Sequence, residues 1–317
     1  MTLTHTFSPA ALGWLGSAFE EKSRVSPLGR LDPGDFVEAD KADLVEAGVI
    51  DEEGQITPAW YVPLNRLAGT DAFSRVRLSS GPIRAERVAY FEGAGRDAVS
   101  LTVTPEGLRI DHGASIDSFL LEVAALTGES SVVNSEFEVE LGYEDALVLS
   151  AFIDLHRLAV LRSCADEEDY TFPALSADAI IARAQATGSR PQALTGIIRS
   201  LKGRPEDPSP EQAVSCLDSL VQRDVLSQDD GGYLASDDLK RLAGNLLIFQ
   251  GMIHLDAGRT DDEGRLEMLE TLFIQAGLHD ILRVDPGGGS VTMESVSSAV
   301  LLGYVRTMLT TPPLTEG

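Results

Sequence analysis

The sequence predicts an α+β fold of two duplicated halves, with a central antiparallel sheet flanked by helices and with winged-helix-like elements. Three observations lead to this prediction. Short runs alternate apolar and polar residues, as strands with one buried face require. Segments with helical periodicity and capping residues lie before and after these runs. A similar order of segments returns after about 176 residues, so a pseudo-two-fold axis would relate the halves.

The helices of the first half are predicted from periodicity and from their ends. Ser8 is suited to be an N-cap, and Pro9 and Pro58 suit the first turn of a helix. Gly48 suits the left-handed conformation that ends many helices. These signals predict helices over residues 9–25, 40–48 and 58–68.

The strands of the first half follow from alternation. Val76 and Leu78, and Leu101 and Val103, each alternate with polar neighbours. We predict a small hairpin around the acidic turn 51–54 and strands over residues 73–79, 87–91, 98–104 and 108–111, with turns at 93–95 and 105–107. Ser115 then caps a closing helix that ends near residue 126.

The second half repeats this order. A helix ends at residue 225, a Gly turn lies at 229–232, and Ser236 caps a helix that ends near 244. Strands are predicted over residues 247–255, 266–274, 278–284 and 291–293, with a turn at 286–289 and a closing helix over 295–309.

Several short matches support the duplication. Leu67-Ala68-Gly69 corresponds to Leu242-Ala243-Gly244, and Gly81 corresponds to Gly258. The second copy holds about 43 extra residues before its turn, including segments 177–187 and 190–201 and a Pro-rich stretch at 205–210. We therefore divide the chain into a first half, residues 1–129, and a second half, residues 130–317, with a helical insert at about 158–204.

Charge excludes several classes of partner. The 317 residues include 50 acidic and 25 basic ones, for a net charge of −25 at pH 7. Such a surface repels phosphates and anionic lipids, so nucleic acid is an unfavoured partner. No window reaches the roughly 18 apolar residues of a membrane span, which predicts no membrane insertion.

The N-terminal segment and the cysteines predict a cytoplasmic protein. Residues 1–20 lack the basic start and the apolar run of a secretory signal. Cys164 and Cys216 are far apart and form no CxxC motif. We expect both to be buried free thiols in a reducing compartment.

No pattern predicts catalytic, cofactor-binding or metal-binding residues. Phosphate-loop and nucleophile-elbow motifs are absent, and Gly93-Ala94-Gly95 lacks the third glycine of a dinucleotide fingerprint. An EF-hand with Gly54 at its sixth position would place Val49 and Trp60 where carboxylates are required. No two histidines have the i, i+4 spacing of a zinc site; they are His5, His112, His156, His254 and His279. We predict a protein that is not an enzyme, although a deep polar pocket with perturbed carboxylates would favour one.

The insert and the turn after it resemble a winged helix-turn-helix. Its helices would lie at 177–187, 190–201 and 209–223, before the Gly231-Gly232 turn. The third helix carries Glu211 and Asp218, which repel phosphates, so a structural or protein-binding role is favoured over DNA recognition. A regulator that binds DNA would instead use the clustered basic residues Arg183, Arg190, Arg199, Lys202, Arg204 and Arg223.

The layout of the first half resembles the EspG family, cytosolic chaperones of ESX (type VII) secretion in actinobacteria. The resemblance consists of the pattern Leu-x-x-x-Gly-Val-Ile at residues 44–50, the acidic turn 51–54, a Pro-started helix at 58–67, four strands and a closing helix. It implies quasi-symmetric halves joined through a central sheet and a client that is the helical tip of a secreted PE–PPE heterodimer. The insert around 158–201 and the overall length depart from the family pattern.

Two functions of different kinds therefore remain. The first is a non-enzymatic cytosolic binding protein, a secretion-associated chaperone or adaptor that holds a helical client protein. The alternative is a degenerate winged-helix regulator that binds DNA or a protein partner. A large exposed apolar patch would favour the first, and an exposed basic stripe would favour the second.

Overall fold

The computed structural model describes residues 2–34, 36–93, 98–128, 130–133, 136–167, 169, 172–186, 193–201, 206–247, 249–261, 263–276 and 280–313. It has a mixed α+β fold with a large antiparallel sheet flanked by helices, which confirms the α+β class and the antiparallel sheet of the prediction. In the described part of the chain, no helix combines the length and the apolar character that crossing a membrane requires.

The first part of the chain alternates helices with two antiparallel hairpins. Its elements are β1 (Leu3–Phe7), α1 (Pro9–Gly16), α2 (Glu38–Glu46), α3 (Pro58–Gly69), β2 (Ala72–Ser80), β3 (Ile83–Phe91), β4 (Val99–Thr104), β5 (Gly107–His112) and α4 (Asp117–Thr127). Ser8 accepts a hydrogen bond from the amide of Ala11 and so caps α1 as predicted. Ile50 and Ile56 form an antiparallel bridge across the acidic turn, which confirms the small hairpin.

The second part has the same alternation, with a longer helical section. Its elements are β6 (Glu138–Gly142), α5 (Tyr143–Asp166), α6 (Ala177–Gln185), α7 (Leu194–Ser200), α8 (Pro210–Gln222), β7 (Leu226–Asp229), β8 (Gly232–Ala235), α9 (Asp237–Asn245), β9 (Phe249–Thr260), β10 (Leu266–Ala276), β11 (Asp280–Gly287), β12 (Ser290–Val296) and α10 (Ser298–Thr310). Ser209 and Ser236 cap α8 and α9 through their hydroxyl oxygens.

The chain divides into two compact units, and each unit draws on distant segments. The first unit comprises residues 1–126, 254–269 and 302–317, and the second comprises 127–253 and 270–301. In the first unit the strand order is β1-β5-β4-β3-β2-β9-β10, with residues 254–260 of β9 and 266–269 of β10. In the second unit, residues 270–276 of β10 begin the order β10-β11-β12-β6. All registers given by the paired strands are antiparallel.

The core of the first unit lies between the sheet and helices α1 and α3. Phe7 and Trp60 meet edge to face, with ring centroids 5.4 Å apart. The other large buried side chains of this cluster include Leu12, Leu15, Leu44, Ile50, Leu64, Leu67, Val99 and Ile110. On the opposite sheet face, the guanidinium of Arg87 lies 5.8 Å from the ring of Phe119 in α4. Helices therefore cover both faces of this part of the sheet.

The core of the second unit surrounds helix α5. Residues 146–154 of this helix are all buried, so this stretch has no side open to solvent. Helices α6, α7, α8 and α9 pack around it. An isolated bridge joins Leu175, before α6, to Tyr233 of β8.

Several predicted boundaries are wrong for physical reasons. The first helix ends at Gly16 and not near residue 25, because the chain turns after Gly16, where Leu28 packs so closely that a Cβ would meet it at 3.2 Å. Strands β1 and β6 were not predicted. Each has only five residues and pairs with a strand far away in sequence, although Val139 and Leu141 of β6 do alternate with glutamates. The turn at 93–95, the start of the strand at 278 and the start of the helix at 190 lie outside the described residues.

The expectation of two buried thiols is wrong for one of them. Cys216 is buried in α8, whereas Cys164 lies exposed near the end of α5. Burial, followed by the neighbouring Asp145, raises the pKa of Cys216 to about 12. The Cys216 thiol is therefore protonated and shielded at neutral pH.

This contrast predicts the thiol reactivity of the folded protein. One thiol should react with a disulfide reagent such as Ellman's reagent under native conditions, and two should react in 6 M guanidinium. The variant Cys164→Ser should show no native reactivity, whereas Cys216→Ser should keep that of the wild type. Rapid native reaction of both thiols would contradict the packing of α8.

The imidazole of His156 predicts a loss of stability in acid. His156 is fully buried in α5, with ring centroids 4.6 Å from Phe152 and 5.0 Å from Phe172. Burial, with a smaller contribution from Lys240, lowers its pKa from 6.5 to about 4. Below pH 6.5 the unfolded chain binds a proton that the folded chain does not bind until about pH 4. The free energy of unfolding should therefore fall by up to about 3 kcal/mol across this interval.

Urea unfolding at pH 7.5 and pH 4.5 measures this contribution. The variant His156→Gln should lose less stability between the two pH values than the wild type, because the titrating group is gone. Equal pH dependence of the wild type and His156→Gln would contradict the prediction.

Candidate interaction surface

Exposed apolar side chains mark surfaces where a partner protein can bind, and the sequence predicts no catalytic, cofactor-binding or metal-binding residues that would mark another kind of site. In the described part of the chain, the large apolar side chains exposed by at least two fifths are Val37, Tyr61, Val62, Ile83, Val103, Leu121, Val132, Leu161, Val214, Met268, Leu269 and Val300. Two pairs among them are consecutive, one in α3 and one in β10. The pair in β10 lies beside a concave region of the sheet.

One face of the first unit's sheet brings three residue pairs of β2 and β9 together. Phe73 lies beside Gly258, Arg75 beside Asp256, and Arg77 beside His254. The residue numbers of the two partners have the same sum in all three pairs, as an antiparallel register requires. The amide of Thr260 donates to the carbonyl of Asp71 at 2.9 Å and continues this register.

In the middle of this face lies the buried carboxylate of Asp256, which binds two arginines. The Asp256 side chain is fully buried, and its Oδ2 lies 2.9 Å from Nη2 of Arg75 and 2.8 Å from Nη2 of Arg77. His254 contacts Arg77 through Nδ1, and its Nε2 lies 3.3 Å from Oδ1 of Asp256. Asp256 therefore fixes two guanidinium groups that remain about one third exposed.

The end of the same face is apolar. A Cβ on Gly258 would lie 2.6 Å from the ring of Phe73 and 2.8 Å from the sulfur of Met268, so only glycine lets these side chains meet. The ring of Phe73 also lies 6.4 Å from that of Tyr90 in β3. Burial raises the pKa of Tyr90 to about 12, so its hydroxyl stays protonated.

Two consecutive apolar residues of β10, Met268 and Leu269, are exposed to solvent beside Gly258. Their side chains are 40% and 48% exposed, and as neighbours in a strand they point to opposite faces. Both line a cavity of about 270 Å³ together with Ala257, Gly258, Arg259, Glu267 and Pro313. We call these seven residues, with Phe73, the β10 shelf. Its apolar side chains beside fixed arginines suit contact with another protein, since methionine, aromatic residues and arginine are common at such interfaces.

The residues expected to contact DNA have other partners where they are described. Nη2 of Arg183 lies 3.1 Å from Oδ2 of Asp154, and Arg223 donates to the carbonyl of Glu140. Arg199 binds Asp207 at 2.7 Å and also donates to carbonyls at the end of α6. Arg190, Lys202 and Arg204 lie outside the described residues. Arg183 therefore joins α6 to α5, Arg199 joins α7 to the end of α6, and Arg223 joins the end of α8 to β6.

Comparison with known proteins finds similarity at the level of solved structures. No protein-family model matches the chain, and no curated protein matches it. The chain is similar to the Mycobacterium tuberculosis type VII secretion system chaperone EspG5, whose structure was solved in complex with a PE25–PPE41 dimer. The matched region covers 100% of this chain and 99% of the EspG5 chain. The TM-score is 0.52 and the sequence identity is 12%. The two chains thus share a similar fold from end to end.

Proposed function

We propose that this protein is a non-enzymatic chaperone or adaptor that acts in the cytoplasm and holds a helical client protein of a secretion system. The observation that carries this proposal is the end-to-end similarity of its fold to the chaperone EspG5, which was solved with a bound protein dimer. The sequence adds that no recognisable catalytic motif is present. We infer that binding, without chemistry, is the activity.

We further propose that the client contacts the β10 shelf. Met268 and Leu269 are the exposed apolar pair that borders a cavity. Arg75 and Arg77, held by Asp256, lie on the same sheet face as Phe73 and Met268 and supply donors at the polar rim. An apolar centre with a polar rim is the usual composition of a protein-binding surface. The apolar tip of a helical client would bury Met268 and Phe73 on this face.

The two duplicated halves and the winged-helix-like element are part of the same proposal. Each half runs as strand, helix, further helices, hairpin or bridge, helix, four strands and helix. Its first strand pairs with its last, β1 with β5 and β6 with β12. Helices α6, α7 and α8 followed by the β7–β8 hairpin have the element order of a winged helix. The outward side chains Glu211, Val214 and Asp218 of α8 favour a protein contact over DNA.

Affinity purification from the native host tests the proposal. The tagged protein should retain a small helical secreted protein in stoichiometric amount, identified by mass spectrometry. The variant Met268→Glu should lose at least about 90% of this client, since a buried carboxylate without a partner is unfavourable at an interface. Val103→Glu is the matched control, because Val103 is an exposed apolar residue outside the shelf.

Other outcomes separate the alternatives. Equal client retention by both variants would place the binding surface elsewhere while leaving the chaperone function supported. Recovery of DNA or of an RNA polymerase component, with DNA affinity that falls as salt rises, would favour the winged-helix regulator. A monomer that retains neither protein nor nucleic acid would contradict both binding functions.

A further inference from the structure

The outer edge of strand β1 borders a groove. In the described part of the first unit, β1 ends the strand order and pairs only with β5. Alternate residues of an edge strand direct their N–H and C=O groups away from the sheet. β1 contains neither proline nor lysine, the residues that often block an edge from pairing. The five residues of β1 thus offer backbone groups along a length of about 16 Å.

The groove runs along the last three residues of this edge, from His5 to Phe7, and is walled by helix α2. Its volume is about 430 Å³, which lies in the range of ordinary ligand pockets, about 300–1,000 Å³. Four successive residues, from His5 to Ser8, line it. Successive residues of a strand point to opposite faces, so a cavity that touches four in a row follows the edge. Asp40, Asp43 and Glu46 face it from α2 at a spacing of three residues.

Hydrogen bonds at one end of the groove fix its walls. The hydroxyl of Ser8 donates to Oδ1 of Asp40 at 3.0 Å and accepts from the amide of Ala11 at 3.0 Å. Oδ2 of Asp40 accepts from the amide of Val37 at 2.9 Å. Ser8 therefore joins the start of α1 to the start of α2. The groove floor consists of the buried side chains of Phe7, Ala11 and Leu44.

The rim of the groove is acidic. Asp43, Glu46 and Glu106 are exposed and line it, and among the described lining residues there is no lysine or arginine. Within the described part of the chain, the carboxylates of Asp43 and Glu46 form no ion pair. The lining imidazole of His5 has a pKa lowered by burial, against the opposite effect of Asp43, so it does not offset this charge at pH 7. The groove therefore attracts cations to an edge that also offers backbone hydrogen bonds.

We propose that this groove binds an extended peptide segment of another protein that carries lysine or arginine at alternate positions and adds to β1 as a further strand. The peptide backbone pairs with the free edge of β1, as in other cases of strand addition. Every second side chain then points toward the carboxylates of α2. A second copy of this chain suits the groove less well, because two molecules with net charge −25 repel each other. This inference does not rest on the proposed chaperone function, since the residues of the groove are separate from those of the shelf.

A synthetic peptide tests the inference on the full-length protein. The probe is a fluorescein-labelled peptide of four lysines alternating with three valines, and binding is followed by fluorescence anisotropy at low salt. Hydrogen exchange should slow at the amides of Leu3–Phe7 when the peptide binds. Two comparison peptides separate the contributions: one has glutamate in place of lysine, and the other keeps the lysines but has N-methylated alternate amides. Both should bind at least about tenfold more weakly.

Matched charge variants locate the site. Asp43→Asn together with Glu46→Gln should weaken binding of the lysine peptide about tenfold, because two exposed ion pairs are lost. Glu20→Gln together with Glu21→Gln removes the same charge from exposed positions outside the groove and should leave binding unchanged. Equal binding of the N-methylated peptide, equal effects of both variants, or unchanged exchange at β1 would each overturn the inference.

Discussion

Replacing Asp154 with alanine is expected to lower the free energy of unfolding by about 3–5 kcal/mol, the range for breaking a buried ion pair. The Asp154 carboxylate is only 2% exposed and lies 3.1 Å from guanidinium nitrogens of both Arg157 and Arg183. It also accepts from the amides of Leu194 and Thr195 at 2.9 and 3.2 Å and from the Thr195 hydroxyl at 2.8 Å. Without it, two buried guanidinium groups and the start of α7 lose their acceptor.

This carboxylate also caps a helix from a distance. Ala193, the residue before α7, has no side chain that can accept from the first amides of the helix. Asp154, in the middle of α5, accepts from those amides instead. In the alanine variant, the amides of α7 should therefore exchange with solvent faster than those of α8.

Urea unfolding provides the measurement and its controls. Asp154→Asn keeps the size and some hydrogen bonds of the carboxylate and should fall between the alanine variant and the wild type. Asp166→Ala removes an exposed carboxylate from the same helix and should change the unfolding free energy by less than about 0.5 kcal/mol. A loss below about 1 kcal/mol for Asp154→Ala would mean that Arg157 and Arg183 find other acceptors.

Replacing Asp256 with alanine should have the second largest effect, a loss of about 2–3 kcal/mol. The Asp256 carboxylate is fully buried and bridges Arg75 and Arg77 across two strands. The expected loss is smaller than at Asp154, because these arginine side chains are 30% and 38% exposed and can turn toward water. The substitution should also release both guanidinium groups from the shelf.

Two measurements check this expectation. Thermal and urea unfolding of Asp256→Ala should show the loss, and Asp256→Asn should recover part of it. Glu267→Ala, which removes an exposed carboxylate from β10, should leave the unfolding free energy within about 0.5 kcal/mol of the wild type. An alanine variant at position 256 as stable as the wild type would show that desolvation of the carboxylate offsets its ion pairs.

The sequence predicted strands correctly where apolar and polar residues alternate within the strand itself. Strands β2 to β5 have one alternating face, and all four were predicted, although β3 begins at Ile83 and not at residue 87 and the turn between β2 and β3 was not predicted. Strands β1 and β6 have only five residues each, and their place is determined by β5 and β12, far away in sequence, so the alternation of Val139 and Leu141 in β6 was missed. The class of fold was therefore predictable, but the ends of the strand order were not.

The functional features were harder to predict than the fold. Asp154 lies inside an apolar helix, and nothing local relates it to residues 40 positions later. Asp256 lies in a strand whose arginine partners are in β2. The one signal present was a charged residue in an otherwise buried segment, which indicates a paired side chain but not its partner. The groove beside β1 was invisible for the same reason, since the strand that forms it was not predicted.

Neither compact unit is continuous along the chain, and this has a consequence for protein synthesis. The first unit needs residues 254–269 and 302–317 in addition to its first 126. While the ribosome is still translating the second unit, β2 has no neighbour on the side where β9 will pair. The nascent chain therefore carries an unpaired strand edge until almost all of it has been made, and such edges recruit other chains. A fragment that ends at residue 129 would keep that edge permanently, so the isolated first half of this protein should aggregate where the whole chain folds.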